Sequence, residues 1–214
     1  DKAVRAELDK QGRAVLGLGS DGQLHADAMP KDLRGIGLAV AVQEGGKPAF
    51  DAAEKHFRAS QDPTIRSQLL GAMGDAMEPA LVERARGLVF EKGLLRRNEI
   101  FPVVGGQTEE AATRPALRQW VDTHFTELEA RLAPAGAALV GLYSAGMCSV
   151  EEAKDVETRF TDRMKSIEGG PLELKQTVEA VRLCAAQKDA RRTDPPRVAL
   201  PSGTQKDGAP AGSQ

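Results

Sequence analysis

The side chains that could do chemistry in this 214-residue chain are few and scattered. Its three histidines, His25, His56 and His124, never pair at ligand spacing, and no H-E-x-x-H occurs. A zinc site draws two or three such ligands onto one face. His124 falls one position off an apolar stripe and reads as a helix-boundary or core-edge residue. Cys148 and Cys184 are too few and too distant in sequence for a metal cluster or a disulfide framework. Cys184 falls mid-helix and reads as a small buried hydrophobe. Ser20, Ser144 and Ser149 lack the strand-turn-helix context of a nucleophile elbow. Gly17-Leu18-Gly19-Ser20-Asp21-Gly22 has the outline of a dinucleotide fingerprint, but a helix precedes it where that motif needs a strand. No metal-ligand set, activated nucleophile or oriented general base can be assembled.

The densest polar cluster is Arg96-Arg97-Asn98-Glu99. It reads first as a hydrogen-bonded corner, in which a guanidinium ties down helix-end carbonyls or a carboxylate. The functional alternative is a site for a peptide carboxylate. Arg118 is a further arginine of the same kind.

The elements that must position these groups are helices. Ile65, Leu69 and Met73 stand four residues apart, as do Leu81 and Ala85, which is the spacing of one helical face. Asp62-Pro63 and Glu78-Pro79 open these two helices alike: proline has no N–H to waste in the first turn, and the acid faces the positive end of the dipole. Such a pair has the look of a helical hairpin that stacks into a solenoid. Before it, the spacing predicts helices over about 3–17, over 30–43 (Leu33, Ile36, Val40), ended by Gly45-Gly46, and from Phe50 to Ser60. Leu38 to Val42 taken alone also fits a buried strand.

After it come a short helix over 94–103, with Pro102 near its end, and one long helix starting near Thr108–Pro115. Leu117, Trp120, Val121, Phe125, Leu128 and Leu132 fall on one face of that helix. A short helix around Leu139–Tyr143 follows. Ser149-Val150-Glu151-Glu152 is a capping box for the next helix, with Phe160 on its stripe. The last helix carries Leu174, Val178, Val181 and Ala185. From residue 193 the text is rich in Pro, Gly and Ser without apolar period, which predicts a disordered tail over 193–214. Residues 1–192 therefore read as one all-α, solenoid-like array of about ten paired antiparallel helices.

Composition narrows the function. Net charge is −2 with pI near 6.0, and aromatics make up 4%. That gives no electrostatic footprint or stacking platform for nucleic acid. No run reaches the roughly 18 apolar residues that would span a membrane. The first residue is Asp1, so the chain looks like a piece of something longer.

The order of these motifs resembles the C-terminal α-helical, HEAT/armadillo-like domain of zinc aminopeptidases of the aminopeptidase N family. Family members carry an acid-proline or similar helix pair. They follow it with an Ile/Val-Arg-x-Gln-Asp turn, which Leu95-Arg96-Arg97-Asn98-Glu99 matches with Asn for Gln and Glu for Asp. An aromatic, an aliphatic and a second aromatic residue come next, echoed by Trp120, Val121 and Phe125. A helix ending in phenylalanine corresponds to Ser149–Phe160, and the final rhythm to Leu174–Val181. The likeness covers about residues 1–190.

The resemblance implies a domain without catalytic residues or cofactor of its own, joined to a catalytic domain that holds zinc. It would cover the active site and touch the far end of a peptide substrate. Asp75-Ala76-Met77-Glu78-Pro79 mimics the family's amine-binding loop but lies between helices and reads as coincidence. A free-standing helical scaffold that binds another protein is the alternative. Neither nucleic acid nor membrane is implied as a partner, and the compartment stays open between cytoplasm, periplasm and exterior. Arg96, Arg97 and Arg118 are the expected carboxylate contacts; Asn98, Glu99, Trp120, Phe125 and Phe160 are expected to be structural. Trp120 is expected to be buried, so that its truncation costs roughly 3–5 kcal/mol.

Overall fold

A computed structural model describes residues 1–193, with side chains to 191; of the disordered tail expected over 193–214, Thr193 is still helical and the rest lies outside the described residues. Among the described residues the chain is all helical: α1 (Lys2–Val15), α2 (Lys31–Ala59), α3 (Pro63–Gly74), α4 (Pro79–Gly87), α5 (Ile100–Glu109), α6 (Arg114–Thr123), α7 (Phe125–Leu132), α8 (Leu139–Ser144), α9 (Val150–Met164) and α10 (Gly170–Thr193). No strand forms, and Leu38 to Val42 is helical.

α2 is two arms. Gly46, at φ 53° and ψ −139°, breaks the helix in the middle, a conformation that glycine adopts freely. The hydrogen bonds show the chain reversing there. Gln43 on the first arm donates to the Asp75 carbonyl past the end of α3, whereas the Phe57 carbonyl on the second arm accepts from Arg66 near the start of α3. The reading of Gly45-Gly46 as a boundary between two helices therefore holds.

Pairs of this kind stack. Arg34 bonds Gln68 and Gln43 reaches Asp75, so the first arm runs parallel to α3. Arg84 pairs with Asp51, and Arg58 with Glu91, so the second arm runs parallel to the α4 segment. α3 and α5 are parallel too, since Arg66 meets Glu99 while a Cβ on Gly74 would meet the carbonyl of Val103. Phe90 and Trp120 bring the α4 segment beside α6. Successive helix pairs thus form two layers, the solenoid-like plan. The apolar seam between them holds Leu38, Phe50, Phe57, Leu69, Leu70, Met73, Ile100, Leu117 and Leu128, all nearly inaccessible to water. α1 runs antiparallel to the first arm of α2: Arg5 pairs with Glu44, and Gly12 lies so close to the Gly37 carbonyl that it has no room for a Cβ.

Several boundaries differ from the sequence reading. α3 packs chiefly on α2 and α5, not on α4, because α4 is the crossover between two parallel neighbours. Leu33 and Ile36 are about half exposed, as is Val4: the inner face of the first arm is set by Arg34, Leu38, Ala41 and Val42. Thr108 and Glu109 end α5 instead of starting the next helix, and Pro102 is in the first turn of α5, where a missing N–H costs nothing. The expected long helix is broken at His124 (φ −107°, ψ 17°) into α6 and α7.

The cysteines also require a correction. Cys148 and Cys184 form a disulfide, with 5.1 Å between their Cα atoms. α9 and α10 are an antiparallel hairpin, with Glu157 paired to Arg182, which carries a separation of 36 residues back to contact. Cys184 is accordingly half-buried and bonded, not a free core hydrophobe.

The kink gives a direct test. An alanine at Gly46 would meet both an unfavourable φ and the Glu78 carboxylate. Gly46→Ala is expected to cost about 1–3 kcal/mol in denaturant unfolding, and an unchanged midpoint would show that the reversal does not depend on that backbone.

Candidate functional site

The Glu99 corner is built by α3 reaching across to the turn before α5. Arg66 is 6% and Glu99 3% exposed, and their bidentate pair spans 2.6 and 2.9 Å. The same guanidinium donates to the carbonyls of Phe57, Ser60 and Leu94 and lies 4.2 Å from the centre of the Phe57 ring. Glu99 Oε2 also accepts the backbone N–H of Arg96 at 2.9 Å. Hydrogen bonds from Arg66 hold the Glu99 carboxyl below its ordinary range despite burial. A guanidinium does tie down this corner, but it is Arg66, 33 residues upstream, not Arg96 or Arg97. Those two and Asn98 stand exposed on the rim.

Arg118 is elsewhere. From α6 it donates to the carbonyls of Tyr143 (3.2 Å) and Ala145 (3.0 Å) at the end of α8, and so closes a helix terminus. No contact joins it to Arg96 or Arg97, so the three expected carboxylate contacts do not converge among the described residues. Phe125 and Phe160 are buried with ring centres 5.7 Å apart, and Tyr143 meets Phe160 edge-on at 4.9 Å. Arg163, held by Asp122, covers both phenylalanine rings.

Trp120 is not in that core. It is half-buried and packs on Phe90 at 5.6 Å, with His124 completing a three-ring floor. These rings line a groove of about 610 Å³ between α4 and α6, walled by Met77, Val82 and Ala116. Arg86 sits at its base. It bonds Gln107 and the Ala116 carbonyl, its Nη2 is buried without a hydrogen-bond partner, and burial lowers its pKa. The sequence reading missed this groove. Phe90 and Arg86 carried no motif, and only the parallel stacking of α4 and α6 brings them to Trp120. With Trp120 only partly buried, Trp120→Ala is expected to cost nearer 1–2 kcal/mol than the value for a buried ring.

Asp75 ends α3 and lies against Gly106 of α5. Burial, aided by Glu110 and Glu109, raises its pKa to about 6. Among the described residues no three His, Cys, Asp or Glu side chains converge to hold a metal ion. No described helix is long and apolar enough to cross a membrane.

Stacked helix pairs with buried polar ties at the turns define a solenoid-like helical domain. The model of the ERAP1-like C-terminal domain matches residues 1–183, and the chain belongs to that family. It is also 26% identical, over 162 residues, to Aminopeptidase 2, mitochondrial, of Saccharomyces cerevisiae. The match covers 72% of this chain and 16% of the yeast protein, so the chain corresponds to a small part of that relative.

Two measurements check this geometry. Glu99→Ala leaves Arg66 buried and unpaired, and is expected to cost about 3–5 kcal/mol; a near-neutral result would show that the corner is not what joins α3 to α5. For Asp75 the folded carboxyl binds its proton more tightly than the unfolded one, so stability falls as pH rises from about 4 to about 6. Asp75→Asn should therefore stabilise the chain at pH 7.5 by up to about 3 kcal/mol and have little effect near pH 4. Equal shifts at both pH values would contradict a raised pKa.

Proposed function

We propose that this chain is the non-catalytic C-terminal helical domain of a zinc aminopeptidase, where it covers the active site and contacts the distal part of the peptide. The observation that carries this reading is the family match over residues 1–183, nearly the whole helical body. The yeast relative bears the name aminopeptidase. Zinc and the hydrolytic residues belong, on this reading, to a separate catalytic domain against which one rim of the array packs.

The chain's own part is binding and positioning. A stacked helical array offers one extended surface, and its rim carries Arg96 and Arg97 as exposed cations for a peptide carboxylate. Arg118 keeps neutral carbonyls as its partners, so its charge still adds to the field along α6. The groove over Phe90, Trp120 and His124 suits an apolar peptide side chain. Remote contacts of this type position the scissile bond, and their binding energy appears in turnover as well as in KM.

The test is to express the parent protein with and without residues 1–192 and assay both on short and long peptides. The deletion is expected to lower kcat and raise KM, most strongly on long peptides. Arg96→Ala with Arg97→Ala should raise KM only where the peptide reaches the rim. Equal rates for the two lengths of protein on every peptide would leave the alternative, a helical scaffold that binds another protein.

A further inference from the structure

The Cys148–Cys184 bond joins the distal part of α10 to the turn before α9. Cys148 lies in the turn before α9, its N–H donating to Glu152 at 2.8 Å, and Ser149 beside it caps α9. Cys184 lies one residue before Ala185, the last buried residue of α10. Every described side chain from 186 to 191 is exposed. Upstream, Leu174, Val178 and Val181 hold α10 on α9 and α8, and Leu183 points to solvent, 55% exposed. The distal third of this 24-residue helix thus leaves the core where the sulfur bridge stands.

We infer that Cys148–Cys184 is a redox-dependent clamp, which fixes the distal part of α10 to the α8–α9 turn and gives the domain its full form only in an oxidising compartment. Both cysteines are half-buried, neither sealed in the apolar seam. A thiolate of a small dithiol attacks one sulfur, the S–S bond breaks, and a mixed disulfide forms. The reductant's second thiolate then displaces the remaining protein thiolate. The bond accepts two electrons and two protons to give two thiols, and the dithiol leaves as a cyclic disulfide. A cytosolic thiol pool works in that direction, and the secretory and periplasmic spaces work against it.

Without the bridge, α10 keeps its contacts through Leu174, Val178 and Val181, while the segment around Cys184 loses its covalent tie to the α8–α9 turn. Local opening of such a segment is read by amide exchange. The full chain is compared before and after dithiothreitol, with a Cys148→Ser/Cys184→Ser double variant as the permanently open form. Reduction is expected to speed exchange over 182–191 about tenfold or more and leave α3 and α5 unchanged. The double variant should show the fast pattern with or without dithiothreitol. Loss of the loop-closing bond should also lower Tm by about 5–15 °C. In cells producing the parent protein, thiols alkylated before lysis should leave these two cysteines unlabelled.

Unchanged exchange over 182–191 on reduction would overturn the clamp. So would acceleration spread evenly over the whole chain. Alkylated Cys148 and Cys184 in the cellular protein would overturn the oxidising compartment. Because wild-type protein is reduced after folding, the test does not depend on the double variant folding well.

Discussion

The structure hangs on one buried charge pair. Arg66 and Glu99 face each other between two parallel helices of the inner layer, and the guanidinium also gathers the carbonyls that end α2 and precede α5. Taking two charges out of water is costly, and it is repaid only when geometry and supplementary hydrogen bonds are good. Here both conditions hold: the pair is bidentate, and Glu99 accepts a further N–H from Arg96. A bond of this type adds less net stability than an apolar contact of equal volume would. Its value is direction, since only one register of α3 against α5 lets both groups find their partners.

Other polar ties repeat the pattern at successive levels of the stack. Arg84 bridges Asp51 and Glu54 on the second arm of α2, and Arg86 reaches Gln107 and Ala116 one pair further on. Each sits on a helix whose apolar residues could pack in several registers. At the far end the aromatic cluster of Phe125, Tyr143 and Phe160, roofed by Arg159 and Arg163, joins α7, α8 and α9. The result is a stacked helical body with Arg96 and Arg97 exposed at its rim and the groove over Phe90 and Trp120 on its side.

The sequence by itself determined the elements. Asp62-Pro63 announced α3, and the Asp62 carboxylate does accept from Thr64 and Ile65. Gly45-Gly46 marked the reversal within α2, and Ser149 with Glu152 marked the start of α9, although Glu152 returns its bond to Cys148 instead of Ser149. The stripes of α3, α9 and α10 were legible because period and chirality fix which residues share a face. The cluster at 96–99 was legible as a polar corner because so many charged groups in a turn must find partners.

Only the tertiary structure decided which groups meet. Arg66 is one arginine among many until α5 lies parallel to α3. Cys148 and Cys184 are remote until α9 and α10 close a hairpin. His124 reads locally as a helix-boundary residue and is one, but its packing at 4.7 Å on Phe90 comes from a segment 34 residues away. Leu33 and Ile36 obeyed the helical period and still face water, because the neighbours of α2 cover its other sides. Period and caps act over a turn or two of one helix. Partners 30 residues apart are chosen by packing, which the local pattern does not encode.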